Sequence, residues 1–482
     1  MPNKRRQFSV GLVSLGCAKN AVDLQVMAGA LLTEGIALSS NPDRADCILV
    51  NTCAFIEAAR QEANDEILRA CDLKRSGKAR FVVVTGCLPQ RYGASLAAKY
   101  PEVDGWLGID HLFDLPALLR SLSTSPCPDS QAPSRVSSSP SSCPDSQAPS
   151  CVSAPVLVSS ARNTLFEPPV PDFTITGGVH AFLKVADGCN HACAYCAIPA
   201  IRGHLRSRRP RDILAEARAL VRSGIRELDV VAQDVTAYGR DLRDGTSLAS
   251  LLTSLDRIRG DYWLRLLYGY PSLISDELLS VMASARHVCR YIDLPLQHSH
   301  PEMLRAMRRA DTVRHIGTIV GRLRAAVPGI ALRTTFIVGF PGETEAHFEH
   351  LLDFVRASEF DQLGVFTFSP EEGTPAAKMD GAVAPEVAEL RRSRLMEAQQ
   401  EIVERRLASM AGIRDRVLVE QVDGDRAVAR AEFQAPDVDG ATLIENPPAS
   451  LQPGDFAEVE ITGHEGYDLV AKLSGGTAVK RR

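Results

Sequence analysis

Three apolar runs near the start of the chain each close on a cysteine: Phe8-Ser-Val-Gly-Leu-Val-Ser-Leu-Gly-Cys17, Cys47-Ile-Leu-Val-Asn-Thr-Cys53 and Phe81-Val-Val-Val-Thr-Gly-Cys87. Short continuous apolar runs of this kind suit strands covered on both faces, as in a parallel sheet packed between helices. Helix-like segments fill the gaps, as over 54–72, so the order is strand, cysteine, helix, repeated. In a parallel sheet the C-terminal ends of all strands lie on one edge, where ligands bind. Cys17, Cys53 and Cys87 are therefore expected to meet in space, in an N-terminal parallel α/β domain over residues 6–120.

Residues 121–172 turn rich in Ser and Pro and lose apolar periodicity, the composition of a disordered linker. Inside it Cys127-Pro-Asp-Ser-Gln-Ala-Pro-Ser134 returns as Cys143-Pro-Asp-Ser-Gln-Ala-Pro-Ser150. Two polar copies do not make a solenoid, so this is a low-complexity expansion. No rigid scaffold gathers Cys127, Cys143 and Cys151, which are read as non-ligands.

Strand and helix patterns then alternate over 173–410, with strands expected at Ala181–Ala186, Glu227–Val231, Trp263–Leu267, Tyr291–Leu294, Ala331–Val338 and Leu363–Phe368 and a helical stretch over 385–410. This alternation predicts a full or partial (β/α) barrel with its site at the C-terminal strand ends. Over 411–477 short strand-like runs broken by Gly, Pro and Asp predict a small antiparallel β-barrel. A chain of 482 residues, 45% apolar, has the length for three such domains.

The densest motif is Gly188-Cys189-Asn-His-Ala-Cys193-Ala-Tyr-Cys196, a C-x3-C-x2-C loop directly after a strand. Three thiolates in one loop suit a [4Fe-4S] cube with one iron left open. A structural zinc site is the other reading, although zinc wants four closed ligands and usually paired two-residue spacings. His191 is a candidate fourth ligand, or a side chain that packs. A second signal is Ile337-Val-Gly339-Phe-Pro-Gly342-Glu343-Thr344, a glycine turn that suits close backbone approach to a ligand and equally an ordinary turn capped by Thr344.

Twelve cysteines in a chain of this kind point to ligands rather than a disulfide framework in a reducing compartment, with Cys47, Cys71 and Cys289 read as buried structural thiols. Lys4, Arg5 and Arg6 precede an apolar stretch too short for a secretory signal, and no run reaches the length needed to span a bilayer. A cytoplasmic protein without a membrane partner is expected.

The cysteine loop resembles the signature of radical S-adenosylmethionine (SAM) enzymes. The motifs Ser14-Leu-Gly-Cys17-Ala-Lys-Asn20, Asn51-Thr-Cys53-Ala-Phe55 and Thr85-Gly-Cys87-Leu-Pro-Gln90 resemble those of its methylthiotransferase family. The resemblance implies two [4Fe-4S] clusters, one on Cys189, Cys193 and Cys196 whose open iron chelates SAM, and an auxiliary one on Cys17, Cys53 and Cys87. It also implies that Tyr195 lies against the adenine and that Gly339 and Gly342 contact SAM. One SAM would methylate a sulfur at the auxiliary cluster; a second would yield the 5′-deoxyadenosyl radical that activates the substrate carbon. No acid–base pair is assigned.

Family members modify either an adenosine of transfer RNA or an aspartate β-carbon of the twelfth protein of the small ribosomal subunit. Pro295-Leu-Gln-His298, Ala435-Pro-Asp-Val-Asp-Gly440 and Tyr467-Asp-Leu469 resemble the second group. Residues 411–470 hold 13 Asp and Glu against 4 Arg and no Lys, a formal charge of −9. Such a module repels phosphate and attracts a basic protein. The ribosomal protein, free or in the assembled subunit, is thus the expected substrate and transfer RNA the alternative. An electron donor such as flavodoxin or ferredoxin and a sulfur donor are the other implied partners.

Overall fold

The computed structural model describes residues 7–124, 154–159 and 178–474. The chain divides into two compact units, the second beginning near residue 164. The first is a six-stranded sheet: β1 (Ser9–Ser14), β2 (Ala37–Ser39), β3 (Cys47–Thr52), β4 (Phe81–Gly86), β5 (Gly105–Leu107) and β6 (Val156–Leu157), in the order β2-β1-β3-β4-β5-β6. Every pairing is parallel. All six residues of β3 are buried, as expected of a central strand covered on both faces. The helix expected over 54–72 runs Glu57–Arg75.

The segment expected to be a linker is ordered at both described ends. A helix continues from Leu115 to Thr124. Val156–Leu157 adds a parallel edge strand to β5, with Trp106 opposite Val156. Two residues suffice to pair because the ladder already exists, which is why no periodicity announced them. The rest of that segment, with Cys127, Cys143 and Cys151, lies outside the described residues.

The second unit carries β7 (His180–Lys184), a two-stranded antiparallel pair β8 (Ala186–Asp187) and β9 (Arg206–Ser207), then β10 (Glu227–Val231), β11 (Trp263–Leu266), β12 (Val288–Asp293), β13 (Ala331–Val338) and β14 (Gln362–Thr367). The larger sheet runs β7-β10-β11-β12-β13-β14, all parallel and in chain order. It is a partial barrel. Its core, from Leu183 through Phe336 to Ile402, fills the space between sheet and helices.

After the helix Pro385–Ala408, five strands close a barrel in the order β15-β16-β17-β19-β18: β15 (Arg414–Asp423), β16 (Arg426–Ala431), β17 (Thr442–Glu445), β18 (Phe456–Glu465) and β19 (Asp468–Leu473). The barrel is antiparallel, as expected, in four of its five pairings, and β17 and β19 pair parallel. An odd number of strands cannot alternate direction all the way round a closed ring, so one pair must run together.

This barrel is tied to the partial barrel by buried ion pairs. The Glu227 carboxylate accepts from Arg265 Nε at 2.5 Å and from Arg430 Nη2 at 2.6 Å, all three groups being almost wholly buried. Burial alone would raise the Glu227 carboxyl, but the two guanidinium groups hold it down to about 2. Arg416 pairs with Asp261 at 2.6 Å, and Tyr291 donates to Asp439 at 2.9 Å. Among the described residues no helix is long and apolar enough to cross a membrane.

Candidate active site

In the first unit the chain turns sharply after β1. Gly16 sits at φ +92°, and a Cβ there would lie 2.8 Å from Cys53 Cβ and 3.3 Å from Cys53 Sγ. Cys17 then caps the helix Ala18–Thr33, Cys53 follows β3, and Cys87 opens the helix Cys87–Lys99. Asn20, fully buried one turn after Cys17, binds the group together. Its Oδ1 receives the Cys17 thiol at 3.9 Å and the Cys87 thiol at 3.6 Å. Its Nδ2 donates to Thr52 O at 2.8 Å, and its own carbonyl accepts from Asn51 Nδ2 at 2.7 Å. The structure thus brings the strand-end cysteines together: the Asn20 amide takes Cys17 and Cys87, and Cys53 lies against Gly16. Asn20 belongs to the Cys17 motif, but nothing in that motif alone announces its role as the residue that joins two thiols.

In the second unit the cysteine loop hangs between β8 and β9. Asp187 anchors its start: the carboxylate accepts from Lys184 Nζ at 3.3 Å, Arg202 Nη1 at 3.2 Å and the Gly188 N–H at 2.9 Å. Burial opposes ionisation of Asp187, yet the Lys184 and Arg202 charges hold its carboxyl well below the usual carboxylate range. Each cysteine of the loop receives one N–H: Cys189 from His191 N at 3.4 Å, Cys196 from Ile198 N at 3.4 Å and Cys193 from Arg309 Nη1 at 3.9 Å. Burial pushes the Cys189 thiol up to about 11 and the Cys196 thiol to about 12, with neighbouring Cys193 adding to both. Half-buried thiols raised in this way, as Cys189 and Cys196 are, need a cation beside them to ionise.

His191 packs rather than reaching toward the thiols. Its ring stacks on Tyr270 at 3.6 Å between centroids, and its Nε2 meets Asp234 Oδ2 at 2.6 Å. Beside it opens a cavity of about 530 Å³ lined by Gly188, Cys189, Asn190, His191, Asp234 and Arg240, among others. Tyr195 packs instead with Met303, Met307 and Phe340, its hydroxyl 3.4 Å from Arg309. In the glycine turn, Gly339 has φ +73° and its N–H donates to Glu343 Oε2 at 2.6 Å; a Cβ there would meet Ala388 at 2.5 Å. Gly342 has open space around it. Thr344 does cap the helix Glu345–Ser358, and Glu343 also pairs with His298 and Arg391.

Among the described residues, one group of three ligand atoms lies within 4.8 Å: His300, Glu302 and His347. Both rings accept a backbone N–H at Nδ1, from Glu302 and Thr344. Each neutral ring then carries its proton at Nε2, so this group serves as helix caps. The two cysteine trios are spread wider than 4.8 Å. Tetrahedral zinc, at 2.3 Å from sulfur, would draw its thiolates to about 3.8 Å of one another, so the spread suits a cube bound through separate irons better than one zinc. None of the described cysteines is in a disulfide. Cys47, Cys71 and Cys289 are buried and apart from both groups, with burial raising the Cys71 thiol to about 11 and the other two further.

Residues 183–355 match the Radical SAM superfamily, 9–108 the Uncharacterized protein family UPF0004 and 412–473 the TRAM domain. The partial barrel with its cysteine loop at a strand end is thus that of a radical SAM enzyme. In fold it is similar to the radical S-adenosylmethionine methyltransferase TsrM from Kitasatospora setae, with a TM-score of 0.53, 17% identity, and cover of 77% of this chain and 74% of that one. Two curated relatives are each 42% identical: the ribosomal protein uS12 methylthiotransferases RimO of Pelotomaculum thermopropionicum, matching 96% of this chain and 99% of that protein, and of Syntrophus aciditrophicus, matching 97% and 99%. The chain belongs to the RimO family of methylthiotransferases.

Proposed function

We propose that this enzyme transfers a methylthio group to the β-carbon of an aspartate in ribosomal protein uS12, using SAM and two [4Fe-4S] clusters. The observation that carries the reading is the gathering of Cys17 and Cys87 on Asn20, with Cys53 against the neighbouring Gly16, in a chain that also holds the Cys189, Cys193 and Cys196 loop. In this reading the first trio binds the auxiliary cluster and the loop binds the cluster that receives SAM. That cluster supplies the electron that splits SAM.

The protein's own contribution is orientation. Asp187 fixes the start of the loop, the backbone N–H groups of His191 and Ile198 hold two thiolates, and the cavity beside Cys189 gives a small molecule access. Tyr195, Gly339 and Gly342 are assigned to SAM, with Gly342 offering the open face of the turn. Domains are assigned to 6–120, 173–410 and 411–477, the protein to the cytoplasm, and reduction and sulfur supply to a flavodoxin or ferredoxin and a separate sulfur donor.

The terminal barrel supports a basic protein substrate. Asp423, Asp425, Asp437, Glu445, Glu458 and Glu465 are exposed, whereas Arg416 and Arg430 are turned to Asp261 and Glu227. An excess of exposed carboxylates of this kind steers a basic partner and repels RNA. The deciding experiment counts iron after anaerobic reconstitution of wild type and of a Cys17→Ala, Cys53→Ala, Cys87→Ala variant. About eight irons falling to about four is the expected result. About four in both would reduce the reading to a radical SAM enzyme of another reaction, and a mass gain on transfer RNA rather than on uS12 would replace the substrate.

A further inference from the structure

We propose that Arg309 is a positioning residue that raises the reduction potential of the cluster on Cys189, Cys193 and Cys196; the inference rests on the reading that this loop binds a cluster. Arg309 lies more than a hundred residues after the loop and is only 4% exposed. Its Nη1 approaches Cys193 Sγ at 3.9 Å and the Tyr195 hydroxyl at 3.4 Å, and its Nη2 donates to Pro295 O at 2.9 Å. Its Nε is buried without a partner. The guanidinium carbon stands 4.2 Å from the centre of the Tyr270 ring. The His191 imidazole covers one face of that ring at 3.6 Å, which leaves the other to Arg309.

Among the described residues no carboxylate forms an ion pair with Arg309. A buried guanidinium without an anion is costly, so the fold needs a reason to keep one there. Two anions are in reach: Asp311, which takes the Tyr270 hydroxyl at 3.0 Å and forms no ion pair with the guanidinium, and the thiolate side of the cysteine loop, which an Nη1 N–H faces. The backbone holds the arginine to that task. Arg308, a non-glycine residue, is forced to φ +57°, and Met307 O accepts the N–H of Ala194 inside the loop at 3.0 Å. A cluster gains one negative charge on reduction. A fixed cation with an N–H aimed at a ligand sulfur therefore favours the reduced state. Cys189 and Cys196 receive their N–H from the adjoining backbone; Cys193 receives its own from this distant side chain.

The test uses full-length protein carrying Cys17→Ala, Cys53→Ala and Cys87→Ala, so that one cluster is titrated by electron paramagnetic resonance without SAM. Arg309→Gln should shift the reduced-to-oxidised ratio at fixed potential at least tenfold toward oxidised, a drop of about 59 mV for a one-electron couple. It should also lose one exchangeable-proton coupling to the reduced cluster. Arg309→Lys keeps the charge and should fall between Arg309→Gln and the parent. An unchanged potential in Arg309→Gln at full iron content overturns the proposal. So does an unchanged potential with weakened SAM binding, which would assign the guanidinium to the SAM carboxylate. Should Arg309→Gln take up no iron, Arg309→Lys decides, and a potential equal to the parent's overturns the proposal. A parent that takes up no cluster at all fails the proposed function instead.

Discussion

The two cysteine groups are assembled by opposite routes. The central trio spans eight residues of one loop, so its assembly is local, and what the fold adds is a clamp: Asp187 below, Arg309 and Tyr270 beside. The N-terminal trio spans 71 residues, and no pair of its members is near in sequence. The parallel register of β1, β3 and β4 brings them to one edge, and the Asn20 amide joins two of their thiols. A local site is thus sensitive to its anchor, and a dispersed site to its hub.

The largest effect should come from the anchor. Asp187→Ala removes the carboxylate that both Lys184 and Arg202 face, at about 3–5 kcal/mol for breaking a buried pair. Urea unfolding should show the loss, and iron should fall in the loop while the N-terminal trio keeps its share. Equal iron loss from both sites would break the distinction. Next comes the hub. Asn20→Ala strands the buried Thr52 carbonyl and should cost about 1–3 kcal/mol. Iron should fall at the N-terminal site alone, with SAM cleavage at the loop retained. Smallest in its effect on iron is His191→Ala, which removes one stacked ring and the 2.6 Å partner of the buried Asp234 carboxylate, at about 1–3 kcal/mol of stability. It should leave the iron content of the loop intact, because the His191 contribution to Cys189 is its backbone N–H. Iron loss there would instead make the imidazole a ligand.

The sequence made the parallel sheets and the six cysteines legible, because apolar runs and thiols are visible residue by residue. Ala331–Val338 and Glu227–Val231 form strands with the expected bounds. Elements owed to neighbours were not legible. β6 is two residues long and exists only because β5 offers it a ladder, while β17 and β19 exist only within a closed ring. The same holds for the site. Asn20 is one turn from Cys17 and was within reach of a spacing argument, whereas Arg309 and Tyr270 come to the loop through helix and strand packing that no short pattern encodes. In the glycine turn the structure adds neighbours that the motif does not announce: the Gly339 N–H donates to Glu343, and a Cβ there would meet Ala388.

The ion pairs joining Glu227, Arg265 and Arg430 have a practical consequence for dissecting the enzyme. The terminal barrel is not a detachable module. Truncation before Arg414 would leave Glu227 and Arg265 in the partial barrel facing the vacancy left by Arg430, and the barrel alone would carry Arg430 with Glu420 but without Glu227. Activity lost on deleting the barrel would thus confound a missing docking surface with a damaged scaffold. Charge reversals at Asp423, Glu445 or Glu465, which leave that seam whole, are the cleaner instrument.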